Sequence, residues 1–84
     1  MIKILYFARL KESLGKTSED FELPYANFTV ATLITLLSSR GEAWSREFGK
    51  SGNLRAAINY DVALESSVIR DGDEVAFFPP VTGG

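Results

Sequence analysis

Eighty-four residues fit one small domain, with no room for a second core. The formal net charge of −2 argues against a nucleic-acid or anionic-membrane binder, which needs a basic surface. The chain contains neither cysteine nor histidine, which excludes disulfides, thiolate and ordinary zinc sites, cysteine nucleophiles and histidine general bases.

Hydrophobic residues make up 45% of the chain and aromatics 12%, enough for a compact core. No apolar run approaches the ~20 residues of a membrane span. Lys3 interrupts a signal-peptide reading of the N-terminus, so a cytoplasmic protein is expected. The 11 acidic residues are scattered and mostly sit beside turns or opposite charges. Any chemistry at this chain is therefore expected to be driven by groups on a partner.

Met1 to Ala8 alternates as a strand, with Ile2, Ile4, Tyr6 and Ala8 on one face and Met1, Lys3, Leu5 and Phe7 on the other. Lys3 marks the second face as solvated, which leaves Leu5 and Phe7 on the wet side. Arg9 to Gly15 reads as a polar turn of one or two helical turns stopped by Gly15. Thr17 to Leu23 reads as a second strand, with Phe21 and Leu23 opposite Asp20 and Glu22, and Pro24 ends it. The short link between these strands suits an antiparallel hairpin.

Thr29 to Arg40 is the main predicted helix. Thr29 is its N-cap, Val30, Leu33, Ile34 and Leu37 form its buried stripe, and Gly41 is its stop. Glu42 to Phe48 adds one or two helical turns that pair Trp44 with Phe48 at i, i+4, and Trp44 is expected to fill a core margin. After a turn-rich loop, Leu54 to Asn59 alternates again, Tyr60-Asp61 turns the chain, and Val62 to Leu64 returns as a short strand. Asp71-Gly72-Asp73 is a turn signal, and Glu74 to Phe78 is the last strand. Its solvated side carries Phe78 as a second exposed aromatic.

This order predicts an α+β fold with one main helix on one face of a small mixed sheet. The first and last strands can then lie side by side at its centre, with Phe7 and Phe78 together on the open face. Residues 1–78 would form the domain and residues 79–84 an extended tail. Pro79 and Pro80 fix their own φ and bias their neighbours toward extended chain. Six residues of this kind reach roughly 20 Å at ~3.3–3.6 Å each. Gly83 and Gly84 lack Cβ atoms, so a tunnel too narrow for any side chain admits them. A terminal carboxylate becomes an acyl donor once adenylated by ATP.

The opening M-I-K-I-L-Y-F-A, the T-V-A-T-L helix start, A-A-I-N, and above all D-G-D-E-V-A-F-F-P-P-V-T-G-G run the length of the chain. In these motifs the sequence resembles the small subunits of molybdopterin synthase, ubiquitin-like β-grasp proteins that carry sulfur. The resemblance implies that an activating enzyme akin to ubiquitin-activating enzymes uses ATP and magnesium to adenylate Gly84. Sulfur from a persulfide donor then makes a thiocarboxylate, and the tail enters a large subunit that holds cyclic pyranopterin monophosphate. Catalytic Lys or Arg side chains would belong to that large subunit, in a heterotetramer, and this chain would bind no cofactor, metal, nucleic acid or membrane.

By the same resemblance Gly84 is the sulfur acceptor and Gly83 lets it thread. Phe7 and Phe78 contact the activating enzyme and the large subunit, with Pro79, Pro80, Val81 and Thr82 continuing that interface. Lys11 falls where the family commonly has arginine, and keeps the charge without the bidentate fork. Three other readings stand beside this one: a carrier for thiamine synthesis or tRNA thiolation, a protein modifier joined to lysines through Gly84, and a plain interaction domain.

Overall fold

The computed structural model describes residues 1–49 and 54–80. Strand β1 (Ile2–Tyr6) leads through the short helix α1 (Arg9–Leu14) to β2 (Ser18–Phe21), then to helices α2 (Val30–Ser38) and α3 (Glu42–Phe48). Strands β3 (Arg55–Ile58), β4 (Asp61–Ala63) and β5 (Glu74–Phe78) complete the chain. One five-stranded sheet results, in the order β2-β1-β5-β3-β4. As the sequence predicts, the first and last strands meet at its centre, and they run parallel with Tyr6 beside Phe77. The β1–β2 and β3–β5 pairs are antiparallel.

The sheet's alternation sorts its side chains. Ile2, Ile4, Tyr6, Val75 and Phe77 point to the helix layer and are buried, where they meet Leu33 and Leu37 of the α2 stripe. Phe48 packs edge-on against Phe77 with ring centroids 5.1 Å apart, and Trp44 stacks on Phe48 at 6.0 Å. Trp44 thus lies at the core margin, as expected. Helix α2 starts as the sequence indicates: the Thr29 hydroxyl accepts the Thr32 amide at 3.2 Å. Its next free amides, those of Val30 and Ala31, donate to the carbonyls of Ser67 and Glu65, so the loop before β5 satisfies the helix start. Gly15 ends α1 in the left-handed region with φ 75°, the role predicted for it.

Several details differ from the sequence expectation. Strand β1 ends at Tyr6, so Ala8, expected on its buried face, is exposed beyond it, and β2 is shorter than the expected Thr17 to Leu23. Helix α2 ends at Ser38, two residues before Arg40, and the Ser38 and Ser39 hydroxyls donate to the carbonyls of Thr35 and Leu36. Such local bonds offer the backbone an alternative to further helix. Gly41 therefore does not close α2; it precedes α3, and its carbonyl accepts the Ser45 amide at 2.8 Å. The turn between β3 and β4 is Asn59-Tyr60, both at positive φ (51° and 75°), while Asp61 already pairs with Ile58. A two-residue loop with both φ positive matches the right-handed strand twist, which places the turn one residue earlier than the sequence suggests.

Candidate functional site

The pairing register defines two ends of the sheet. At one end lie Met1, Asp20, the Asn59-Tyr60 turn, Asp73 and Glu74; at the other lie Phe7, Ser18, Arg55 and Phe78, where the tail leaves. Phe78 ends the central strand, and Pro79 and Pro80 follow it half-buried. Any segment beyond Pro80 is thus rooted in the middle of the sheet, gripped on both sides.

Phe7 lies one residue past β1, and its amide donates to the Phe77 carbonyl at 3.1 Å. The parallel register carries it beside Phe78 on the open face of the sheet, and the residue is 48% exposed. The next residue, Ala8, turns the chain into α1 with φ 56°, a conformation an L-residue adopts only under constraint. Lys11 is exposed on α1. Phe78 is half-buried rather than fully exposed, because the central strand brings neighbours on each side.

Two residues on this surface escape the sequence reading. Arg55 stands directly opposite Phe78 on β3. Val62 on β4 is opposite Ala57, on the same open face, and is 77% exposed. Together with Phe78 and Pro80 they line a shallow cleft of about 350 Å³ at the root of the tail. Alternation signals that Arg55 and Ala57 share a face, but only the strand order reveals that this face is the one carrying Phe78. Of the predicted site, the structure brings Phe7, Phe78, Pro79 and Pro80 to one end of one sheet, with Lys11 on the helix that follows Phe7. Val81, Thr82, Gly83 and Gly84 lie outside the described residues.

Behind β1, on the helix side, the Tyr6 hydroxyl donates to the Glu19 carboxylate at 2.6 Å, and Arg40 donates to the same oxygen at 2.7 Å. Arg40 also lies 4.7 Å over the Trp44 ring. Burial alone would raise the Glu19 pKa, but hydrogen bonds from Arg40 and Tyr6 outweigh it and hold the carboxyl below its usual range. Burial, then the bond to Glu19, pushes the Tyr6 hydroxyl well above the ordinary phenol range. The Glu19 bond raises the Arg40 guanidinium further, against its partial burial. This network braces the β1–β2 hairpin against the α2–α3 junction and leaves no poised acid or base. Among the described residues no group of three or more acids gathers as a metal site, and no helix is long and apolar enough to cross a membrane.

A mixed sheet with its first and last strands parallel at the centre, and helices covering one face, defines a ubiquitin-like β-grasp protein. Haloferax volcanii SAMP1 has the same fold: the two superpose with a TM-score of 0.77 over 99% of this chain and 98% of that one, at 26% identity. The ThiS family model matches residues 4–84, and the chain belongs to the ThiS family. It is 37% identical over 84 residues to the molybdopterin synthase sulfur carrier subunit of Escherichia coli (strain K12), covering 100% of both chains. The Haemophilus influenzae subunit of the same name also matches at 37% identity over 100% of both.

Proposed function

We propose that this chain is the sulfur carrier subunit of a molybdopterin synthase, with the carboxylate of Gly84 as the acceptor of sulfur. One observation carries the reading. The F-F-P-P-V-T-G-G segment begins on the central strand, beside an apolar surface made by Phe7, Phe78 and Val62. The full-length identity to carrier subunits of that synthase supports the pathway.

In this reading residues 1–78 are the body and residues 79–84 the tail. An adenylating enzyme supplies ATP and magnesium; the Gly84 carboxylate attacks the α-phosphate and pyrophosphate leaves. A persulfide sulfur then attacks the acyl carbon and AMP departs; a second thiol of the donor enzyme attacks the donor-side sulfur of the acyl disulfide, which frees the thiocarboxylate and leaves the donor as a disulfide. The large synthase subunit receives the tail and supplies the Lys or Arg groups for sulfur transfer to cyclic pyranopterin monophosphate. This chain holds no cofactor of its own and works in the cytoplasm. Phe7, Phe78, Pro79 and Pro80 dock it, with Lys11 at the border, while Val81, Thr82 and Gly83 thread the tip.

A second reading, a protein modifier joined through Gly84 to lysines, is favoured by the match to SAMP1, a small archaeal modifier protein. Intact mass spectrometry after incubation with the activating enzyme, ATP, magnesium and a sulfur donor separates the two. Replacement of one oxygen by sulfur at Gly84 supports the carrier. Isopeptide adducts without that replacement support the modifier.

A further inference from the structure

The two cations on the inner strands of the open face have different cross-strand neighbours, and neither forms an ion pair among the described residues. Near the far end, Lys3 is flanked across the strands by Asp20 on one side and Glu74 on the other. At the tail end, Arg55 has Phe78 as its cross-strand neighbour and shares its cleft with Val62 and Pro80. No carboxylate among the described residues pairs with it. Glu65 lines the adjoining groove with Arg55 yet forms no ion pair with it. Arg9 on α1, by contrast, is held by Glu47 at 3.2 Å.

In the free protein this costs little, because Arg55 is exposed to water. The balance changes once Phe7, Phe78 and Val62 are covered. A guanidinium carried under that cover without a counter-charge loses its hydration and gains nothing in return. A surface that closes over this patch must therefore bring an acceptor for Arg55. The planar five-donor fork of arginine fits a carboxylate through two parallel bonds.

We propose that Arg55 is a specificity-determining docking residue, pairing with an Asp or Glu that the large subunit presents at the edge of its tail-entry channel. The inference rests on the docking face assigned under the proposed function. It adds that partner choice is set by charge at Arg55 as well as by apolar contact at Phe78. A large subunit lacking this carboxylate discriminates against the chain even where its apolar surface fits.

The test measures binding of the full chain to its cognate large subunit, for wild type, Arg55→Lys, Arg55→Ala, Arg55→Glu and Phe78→Ala. Each is compared at about 50 mM and about 300 mM salt, since a charge pair at an interface edge is screened. Circular dichroism first confirms that each variant folds. Arg55→Ala is expected to weaken binding about 10-fold and Arg55→Glu about 100-fold at low salt, as for a close interfacial charge pair. Arg55→Lys falls between wild type and Arg55→Ala, the losses shrink at high salt, and charge reversal of one acidic residue on the large subunit rescues Arg55→Glu. Unchanged or tighter binding by Arg55→Ala and Arg55→Glu, with Phe78→Ala weakened, overturns the inference and leaves the docking face standing. Failure of wild type to bind, or full binding by Phe78→Ala as well, overturns both.

Discussion

The Phe7 amide donates to the Phe77 carbonyl at 3.1 Å, which extends the central β1–β5 ladder past Tyr6 and sets Phe7 beside Phe78 on the open face. The two rings are thus positioned by main-chain bonds, and the core does not need the Phe78 side chain. Phe78→Ala is expected to weaken association with the large subunit by about 2 kcal/mol or more, as for an aromatic interface anchor. Its effect on folding should be smaller than this. Parallel titration calorimetry and urea unfolding compare the two losses, and a large stability loss with unchanged affinity contradicts the assignment.

Deleting Gly84 removes the proposed acceptor carbon and leaves the core residues, from Ile2 to Phe77, untouched. Sulfur transfer in a reconstituted synthase should be abolished, with the thermal transition unchanged. Normal dithiolene production by the deletion variant contradicts the central reading.

The Tyr6–Glu19–Arg40 network gives stability a defined pH dependence. Glu19 is held below its usual range, so the unfolded chain binds its proton more readily than the folded one. The contribution is present above the ordinary carboxylate value of about 4.3 and is lost as pH falls through the depressed folded value. Glu19→Gln should cost about 1–3 kcal/mol at neutral pH, with the gap to wild type narrowing below about pH 4. Tyr6 is shifted upward, so its share is present below the ordinary phenol value of about 10 and is lost as pH rises above it. Tyr6→Phe should flatten that alkaline limb. Urea midpoints across the pH range check both.

Tyr60 occupies the second position of the β3–β4 turn at φ 75° and is 89% exposed. An L-residue there carries about 1–2 kcal/mol of backbone strain that glycine avoids. Tyr60→Gly should stabilise the fold by up to about 1 kcal/mol, less the extra entropy glycine gains when unfolded. Asn59 is different: its side chain donates to Asp73 at 2.9 Å and accepts the Glu74 amide at 3.0 Å. Asn59→Gly should therefore destabilise where Tyr60→Gly does not, measured by thermal unfolding of the pair.

The sequence makes the architecture legible because its signals agree across levels. The stripe Val30, Leu33 and Leu37 announces a helix with one buried face, and the alternation of Ile2, Ile4 and Tyr6 announces the strand it covers. Phe7 and Phe78 are locatable for a related reason: Lys3 and Glu74 label the wet faces of their strands. The helix end at Ser38 is less legible, since serine hydroxyls compete locally with a stop signal at Gly41. The turn at Asn59-Tyr60 is hidden because Tyr60 is an unusual residue for positive φ. Arg55 and Val62 are missed for a deeper reason. Their place on the face that carries Phe78 depends on β3 pairing with β5, a long-range choice that local periodicity does not encode.

The central place of β5 also has a mechanical side. It is bonded to β1 on one flank and β3 on the other, and Pro79 and Pro80 follow directly from its end. A pull along the axis of β5 loads both ladders in shear, so their bonds share the force together rather than peeling one after another. The same pull on an edge strand would be resisted by one ladder instead of two.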